Sequence, residues 1–249
     1  MNKKAARPKA ERVYGLSAAL AAFAQRPDKV LSIAHTKDAR RDVAEMLREA
    51  ARRRIAYREV DDEALTTMAE SVHHEGVCLL LRADPAPSLE DLAARVGAQG
   101  LLIALADVQN PHNLGAILRS AAYFGARGIV VSQDKKLTAA ARRVAEGGAE
   151  HVPIAPVEDL AAALRALADH EFTIIGADTR AKLELGSLRW PKRAVLVLGH
   201  ERDGLGGPVR AACKSLVRIA GSPAVDSLNV SVAAGVLLAS FAQQHGIGA

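Results

Sequence analysis

The chain has 249 residues and a formal net charge of +5; 49% of its residues are apolar, 24% charged and 3% aromatic. This apolar fraction supports a packed core and excludes a largely disordered chain, and the length suits one large domain or two smaller ones. No apolar run reaches the ~20 residues of a membrane-spanning helix, and the N-terminus lacks the apolar stretch of a signal peptide, so we expect a cytoplasmic protein outside the membrane. The cysteines, Cys78 and Cys213, lack the spacing of a metal site, and we expect neither disulfides nor a bound metal.

Positive charge is concentrated in the first third of the chain. Residues 1–82 contain 16 Lys and Arg against 12 Asp and Glu, and the sequence pI is about 9.4. A basic N-terminal part is typical of proteins that bind a polyanion such as RNA, because neutralised phosphates release their counterions. A solvated tail and helix surface would explain the same charges, so charge alone leaves both readings open.

The first part of the chain predicts a basic disordered tail over residues 1–12 and a small α/β domain over residues 13–82. The elements expected in this domain are a helix over 13–25, a strand over 30–34, a helix over 38–53, and strands over 55–60 and 76–81. Two prolines follow, Pro85 and Pro87, and they indicate a linker over residues 83–98.

Residues 99–249 alternate between apolar strands and helices. The predicted strands cover 101–106, 128–132, 172–177, 194–198 and 216–220. The predicted helices cover 113–124, 138–146, 157–170, 207–214 and 227–244. This alternation predicts an α/β domain with a mostly parallel sheet covered on both faces.

The common nucleotide-binding motifs are absent from this sheet. The sequence has no phosphate-binding loop of the G-x-x-x-x-G-K-[ST] type, and the approach to a dinucleotide fingerprint at Gly204 lacks its third glycine and comes too late in the chain. His73 and His74 form the densest histidine cluster, and a turn or pocket edge explains them better than a metal site.

Three motifs remain after these exclusions. The first places Asn113, Gly115 and Arg119 at the start of a helix that follows a strand, where open α/β sheets bind ligands. Asn113 is the expected N-cap, and Arg119 lies off the apolar stripe, where it could meet a phosphate. An exposed arginine on an ordinary capped helix is the alternative reading.

The second motif ends an apolar strand with Leu198, Gly199, Glu201 and Gly204. Glycine there allows a flat ligand to approach the backbone closely, whereas a surface turn with a solvated glutamate would explain the same residues.

The third motif runs from Ser227 to Ser231 and opens the last helix. Ser227 is the expected N-cap, and Asn229 lies off the apolar stripe, free to point into the preceding loop. Simple capping would also account for both.

Together, in this order and spacing, the three motifs resemble the SpoU/TrmH family of RNA methyltransferases, which belong to the knotted SPOUT superfamily. The stretch from Val13 to Val77 resembles the L30e-like substrate-binding domain of that family. This resemblance covers nearly the whole chain except the basic tail. It implies a C-terminal domain with a deep trefoil knot, which no pattern in the sequence predicts.

The resemblance also implies bound S-adenosylmethionine, an RNA substrate in ribosomal or transfer RNA, and a homodimer formed through the knotted domain. The positions that match the family's cofactor-binding residues are Leu198, Gly199, Gly204, Ile219 and Leu228. Those that match its functional polar residues are Asn113, Arg119, Glu201, Ser227 and Asn229. The chain departs from the commonest second motif at Arg202, where the family usually has glycine.

The implied reaction is methyl transfer to a ribose 2′-hydroxyl. We expect Arg119 to anchor the target's phosphate, since a guanidinium holds its proton too strongly to be a good base. Asn113 and Asn229 would orient groups around it, and Glu201 and Ser227 would hold the loops. An RNA-binding or assembly factor without methyl transfer, and an enzyme that methylates a nucleobase, remain as alternatives.

Overall fold

The computed structural model describes residues 10–133, 137–200 and 203–247. Its strands are β1 (Ala10–Tyr14), β2 (Val30–His35), β3 (Ala56–Glu59), β4 (Val77–Arg82), β5 (Gly100–Leu105), β6 (Gly128–Ser132), β7 (Ile154–Val157), β8 (Thr173–Ala177), β9 (Leu183–Glu184), β10 (Arg193–Leu198) and β11 (Ser215–Arg218). Its α-helices are α1 (Leu16–Gln25), α2 (Ala44–Arg52), α3 (Asp62–Ala69), α4 (Leu89–Val96), α5 (Pro111–Tyr123), α6 (Ala139–Val144), α7 (Leu160–Asp169), α8 (Gly207–Ala211) and α9 (Val230–His245). The chain divides into two compact units: Met1–Pro85 with Thr138–Glu150, and Ala86–Leu137 with His151–Ala249.

The first unit is built on a mixed sheet with the strand order β1-β4-β2-β3. Strand β4 is antiparallel to both β1 and β2, and β3 runs parallel to β2. Apolar residues of α1 and α2 are buried with Ile33 of β2 and Leu79 of β4. Leu65 of α3 is buried with Ala34 and Cys78, which are the chain neighbours of Ile33 and Leu79 in the same two strands. Because neighbouring strand residues point to opposite faces, the sheet is covered on both sides.

The helix predicted from Val13 begins instead at Leu16, because Val13 and Tyr14 belong to β1. They pair with Leu79 and Cys78 of β4, and both are buried. Consecutive buried residues on a strand with two covered faces look like part of an apolar helix in sequence, which explains the error. Of the predicted disordered tail, residues 1–9 lie outside the described residues, and residues 10–12 form the start of β1.

The segment Thr138–Glu150 is held in the first unit by a cluster of buried charges. The Glu150 side chain is only 5% exposed and accepts hydrogen bonds from Arg26 and Arg142 at 3.0 and 2.9 Å. Both arginines also pair with Glu11 of β1, at 2.6 and 2.9 Å. Burial alone would lower the pKa of Arg26, but the two carboxylates outweigh it and raise that pKa above its usual value.

The second unit contains a sheet with the strand order β7-β6-β5-β10-β8-β11-β9, in which every described pairing is parallel. Leu92 of α4 and Leu164 of α7 are buried in one core with inward-facing residues of β5 and β10. Helices α5 and α9 pack against each other. The predicted mixed α/β architecture with a large parallel sheet is confirmed, whereas the trefoil knot stays a prediction.

Two parts of the second unit differ from the sequence prediction. The segment expected to be a linker, 83–98, contains α4, which begins at a capping box in which Ser88 and Asp91 bond each other's backbone N–H groups. Strands β7 and β9 were not predicted, and the helix expected from Val157 begins at Leu160, since Val157 ends β7 and Asp159 caps α7. Among the described residues, no helix is both long and apolar enough to cross a membrane.

Candidate active site

The candidate site lies at the edge of the parallel sheet where the strands end. Leu105 of β5 pairs with Leu198 of β10, and the backbone N–H of Ala106 donates to the carbonyl of Leu198 at 2.8 Å. Strand β11 runs in the same direction two places further along the sheet. The loops that carry the three sequence motifs therefore leave the sheet at one edge, where α/β folds bind ligands.

The first motif opens helix α5, which begins earlier than predicted. Asn110, not Asn113, is the N-cap, and its side chain accepts a hydrogen bond from the backbone N–H of His112 at 2.9 Å. Pro111 occupies the first helical position, which proline favours because it lacks the N–H that would go unpaired there. The correction moves Asn113 into the first turn, where it is 7% exposed.

Asn113 connects the first motif to the third. Its Oδ1 accepts a hydrogen bond from Nδ2 of Asn229 at 3.2 Å, across 116 positions of sequence. Asn229 is also the N-cap of α9, where its Oδ1 accepts from the backbone N–H of Ser231 at 2.9 Å. The expectation that Ser227 caps this helix is wrong, and Ser227 lies exposed in the loop before it.

Arg119 lies on the exposed side of α5, one turn after the buried Gly115. This agrees with its predicted position off the apolar stripe, formed by Leu114, Ile117 and Leu118, which are buried. Arg119 therefore lies on the exposed side of a helix whose opposite side is packed in the core.

The second motif forms a tight hairpin turn after β10. The backbone N–H of His200 donates to the carbonyl of Gly204 at 3.0 Å, and the reverse bond is 2.9 Å. A Cβ at Gly199 would lie 2.3 Å from that carbonyl oxygen, and Gly204 has a φ of +67°. Both positions thus favour glycine for steric reasons. Glu201, assigned to this motif, lies outside the described residues, as does Arg202.

The third loop, between β11 and α9, is exposed and presents apolar side chains. Ile219 is half-buried, and residues 220–229 are exposed, among them Val225 and Leu228. Such a loop offers donors, acceptors and apolar contact area to a ligand.

Comparison with known proteins identifies the family. Residues 100–239 match the model of the SpoU rRNA Methylase family, and residues 12–87 match the model described as RNA 2′-O ribose methyltransferase substrate binding. The chain belongs to the SpoU family. All three motifs lie within the region matched by the SpoU methylase model.

Relatives and solved structures agree with this SpoU assignment. The chain is 36% identical over 241 residues to a 23S rRNA (guanosine-2′-O-)-methyltransferase RlmB of Xylella fastidiosa, covering 94% of this chain and 96% of that protein. For the RlmB of Neisseria meningitidis the identity is 33%, over 94% and 95% of the two chains. The fold is similar to the SpoU methyltransferase AviRb of Streptomyces viridochromogenes, solved with its cofactor AdoMet, with a TM-score of 0.78 at 20% identity over 96% of this chain and 91% of that one.

The SpoU site fits S-adenosylmethionine, the cofactor of the family. Gly204 leaves open space beside the turn, since a Cβ there would meet no heavy atom of the described residues within 4 Å. Leu198, buried at the end of β10, supports that turn, and Ile219 and Leu228 supply apolar surface from the third loop. That these residues bind the cofactor stays a prediction from the sequence.

Proposed function

We propose that this chain transfers a methyl group from S-adenosylmethionine to a ribose 2′-hydroxyl of ribosomal RNA. The observation that carries the proposal is the hydrogen bond between Asn113 and Asn229. It joins the first turn of α5, the helix that carries Arg119, to the N-cap of α9, which follows Leu228. The RNA-facing and cofactor-facing parts of the site are thereby fixed relative to each other. Such pre-positioning is what a transfer between two bound molecules requires.

The residues divide into two roles. Gly199, Gly204, Ile219 and Leu228 hold the cofactor, which when bound supplies a methyl group already activated on a sulfonium. Arg119 faces the RNA and binds the phosphate of the target nucleotide through its guanidinium N–H groups, which sets the position of the neighbouring ribose O2′.

We assign four further polar residues to the site that contains Arg119. Asn113 is buried, so its amide can orient groups of the first loop without competition from water. Asn229 begins α9 and fixes where the third loop ends. Ser227, exposed in that loop, and Glu201 of the second motif complete the polar set that we assign to the site.

Ribosomal RNA is the substrate we favour over transfer RNA. Relatives that match nearly the whole chain are named as methyltransferases of guanosine in 23S rRNA. We infer the same substrate class here, and with it a cytoplasmic location, where ribosomal RNA is available to the enzyme.

We also infer a homodimer. Helices α5 and α9 pack against each other, and their outward sides expose Tyr123, Val232 and Val236. Leu228 and Val225 add apolar area from the adjoining third loop. A second copy of the chain would cover these side chains next to the cofactor site, and burying them would contribute to the stability of the dimer.

The proposal is tested by mapping ribose methylation in ribosomal RNA from a strain that lacks this protein. We expect the loss of a 2′-O-methyl group at one position and its return when the wild-type gene is restored. An unchanged methylation map would contradict the assigned activity, and the loss of a base methyl group would instead support a nucleobase methyltransferase.

A further inference from the structure

A second feature of the methyltransferase unit is a basic cavity away from the loops of the candidate site. It has a volume of about 690 Å³, within the range of ligand-binding clefts. Helix α8, the segment before β9 and the start of β11 form its walls. None of the residues of the three motifs lines it.

The charged side chains that line the cavity are all basic among the described residues: Arg180, Lys182, Arg210 and Lys214. Arg210 pairs with Asp178, which is outside the lining. Arg180, Lys182 and Lys214 are exposed and form no ion pair with any described residue. Three positive charges therefore converge on one concave surface without a neutralising carboxylate.

The cysteine in the lining does not change this balance. Burial raises the pKa of Cys213 to about 11, against the opposing effect of Arg210. Its thiol therefore stays protonated at neutral pH and adds no negative charge to the cavity. The remaining lining residues, such as Gly207 and Ser215, are uncharged.

The position of the cavity relates it to the candidate site. Lys214 immediately precedes β11, and the third loop of the site leaves the other end of the same strand. Four strand residues lie between Lys214 and Ile219, the first residue of that loop, so the two positions are roughly 16 Å apart. A strand of a nucleic acid duplex carries a phosphate about every 3.4 Å along the helix axis, so this separation corresponds to a span of a few nucleotides.

We propose that this cavity binds backbone phosphates that flank the methylated nucleotide, with Lys182 and Lys214 as the principal contacts. The proposal rests on the assigned RNA methyltransferase activity and adds a second anchoring point to it. Phosphate contacts position an RNA without reading its sequence. The low aromatic content of the chain, 3%, also leaves charge as the main means of holding RNA.

The test compares the wild-type chain with the double variant Lys182→Gln/Lys214→Gln. The probe is a fluorescein-labelled RNA oligonucleotide of mixed sequence, and its dissociation constant is measured over a series of KCl concentrations. Each phosphate contact contributes about 0.7 to 0.9 to the slope of log affinity against log salt. We expect the double variant to lower this slope by about 1.5 and to bind RNA about tenfold more weakly at low salt.

The matched control is Lys192→Gln, an exposed lysine in the same unit that does not line the cavity. We expect its slope to equal that of the wild type. The affinity for S-adenosylmethionine is to stay unchanged in all variants. In a methylation assay on unmodified ribosomal RNA, the double variant is to raise KM and leave kcat unchanged, since the cavity contributes binding alone.

An unchanged salt slope in the double variant, or the same change in Lys192→Gln, would overturn the cavity proposal. If the wild type then still methylates ribosomal RNA, the assigned activity stands and only the cavity is wrong. If the wild type neither binds RNA nor transfers methyl groups, the assigned activity itself fails and the cavity proposal fails with it.

Discussion

At the scale of single residues, the backbone geometry at Gly199 bears most directly on the proposed cofactor site. Its Cα faces the carbonyl of Gly204 so closely that a Cβ would lie 2.3 Å from the oxygen. A side chain there would force the hairpin between His200 and Gly204 to open, since the neighbouring atoms are backbone and cannot rotate away.

We therefore predict that Gly199→Ala weakens S-adenosylmethionine binding by about 10- to 100-fold, because forcing a group into a closed space costs about 1–3 kcal/mol. Gly206→Ala is the control, since a Cβ at Gly206 meets nothing within 4 Å. Titration calorimetry measures both, and circular dichroism checks that both variants fold. Equal cofactor affinity in Gly199→Ala and the wild type would show that this turn does not form the cofactor site.

The sequence located the three motifs but assigned the wrong N-cap residue in two of them. Asn110 and Asn113 are both acceptable N-caps by residue type, as are Ser227 and Asn229, and propensity does not distinguish members of a pair. Tertiary structure decides, because the buried hydrogen bond between Asn113 and Asn229 needs one in the first turn and the other at the cap. Glu201 lies outside the described residues, so its role stays a prediction.

At the scale of elements, α6 and the turn that follows it are held to β1 and α1 of the first unit by buried charges. Glu150 is the most buried member, and Arg26 and Arg142 have 19% and 13% of their side-chain area exposed. Removing the Glu150 charge would leave two largely buried guanidinium groups with Glu11 as their shared carboxylate partner in the cluster.

We predict that Glu150→Gln lowers the free energy of unfolding by about 3 kcal/mol, because breaking a buried ion pair leaves an uncompensated charge. Glu45→Gln is the matched control, since Glu45 forms an exposed pair with Arg48 on α2 and such pairs contribute little. Urea denaturation of the full chain measures both. If Glu150→Gln were as stable as Glu45→Gln, the cluster would not be what holds this segment.

The elements that the sequence missed have different physical causes. Strand β9 has only two residues, and β7 contains Pro156, a residue that argues against a strand in sequence. Helix α4 was assigned to a linker because of the prolines before it, although Ser88 and Asp91 match a capping box. By contrast, the central strands β5, β6, β8 and β10 are continuous apolar runs, and the sequence located them within one residue.

At the scale of the whole molecule, the exposed apolar residues of α5 and α9 connect the fold to its proposed assembly. Val232 is 51% exposed and Val236 38%, one turn apart on α9. The rest of this helix is anchored by buried residues such as Leu237 and Phe241. The exposed side is therefore a rigid apolar surface next to the proposed cofactor loop. A second copy of the chain that covered this surface would place the candidate sites of the two copies near the same interface.

We predict that the wild type sediments at twice the 26.3 kDa mass of one chain and that Val232→Glu/Val236→Glu shifts it to the monomer. Two carboxylates in an apolar interface would each have to be desolvated without a partner. Val72→Glu is the control, because Val72 is an exposed valine of the first unit. A wild type that sediments as a monomer would contradict the homodimer.

The sequence alone could predict the family and the parallel sheet, since these depend on ordered motifs and apolar runs. The assigned site residues stay predictions. It could not predict the hydrogen bond between Asn113 and Asn229, because the two residues lie 116 positions apart. The basic cavity could not be predicted either, because its lysines lie in separate segments and no local sequence pattern indicates that these segments are neighbours.

The most direct test of the account is methyl transfer in a purified system. The chain is incubated with isotope-labelled S-adenosylmethionine and unmodified ribosomal RNA, and the digested product is analysed by nucleoside mass spectrometry. Arg119→Ala is compared with Arg165→Ala, an exposed arginine on α7 outside the site.

We predict a labelled methyl group on a ribose O2′ with the wild type and with Arg165→Ala. Arg119→Ala is to lose at least about 100-fold in rate while binding the cofactor as tightly as the wild type. Label on a nucleobase, or a full rate with Arg119→Ala, would contradict the account.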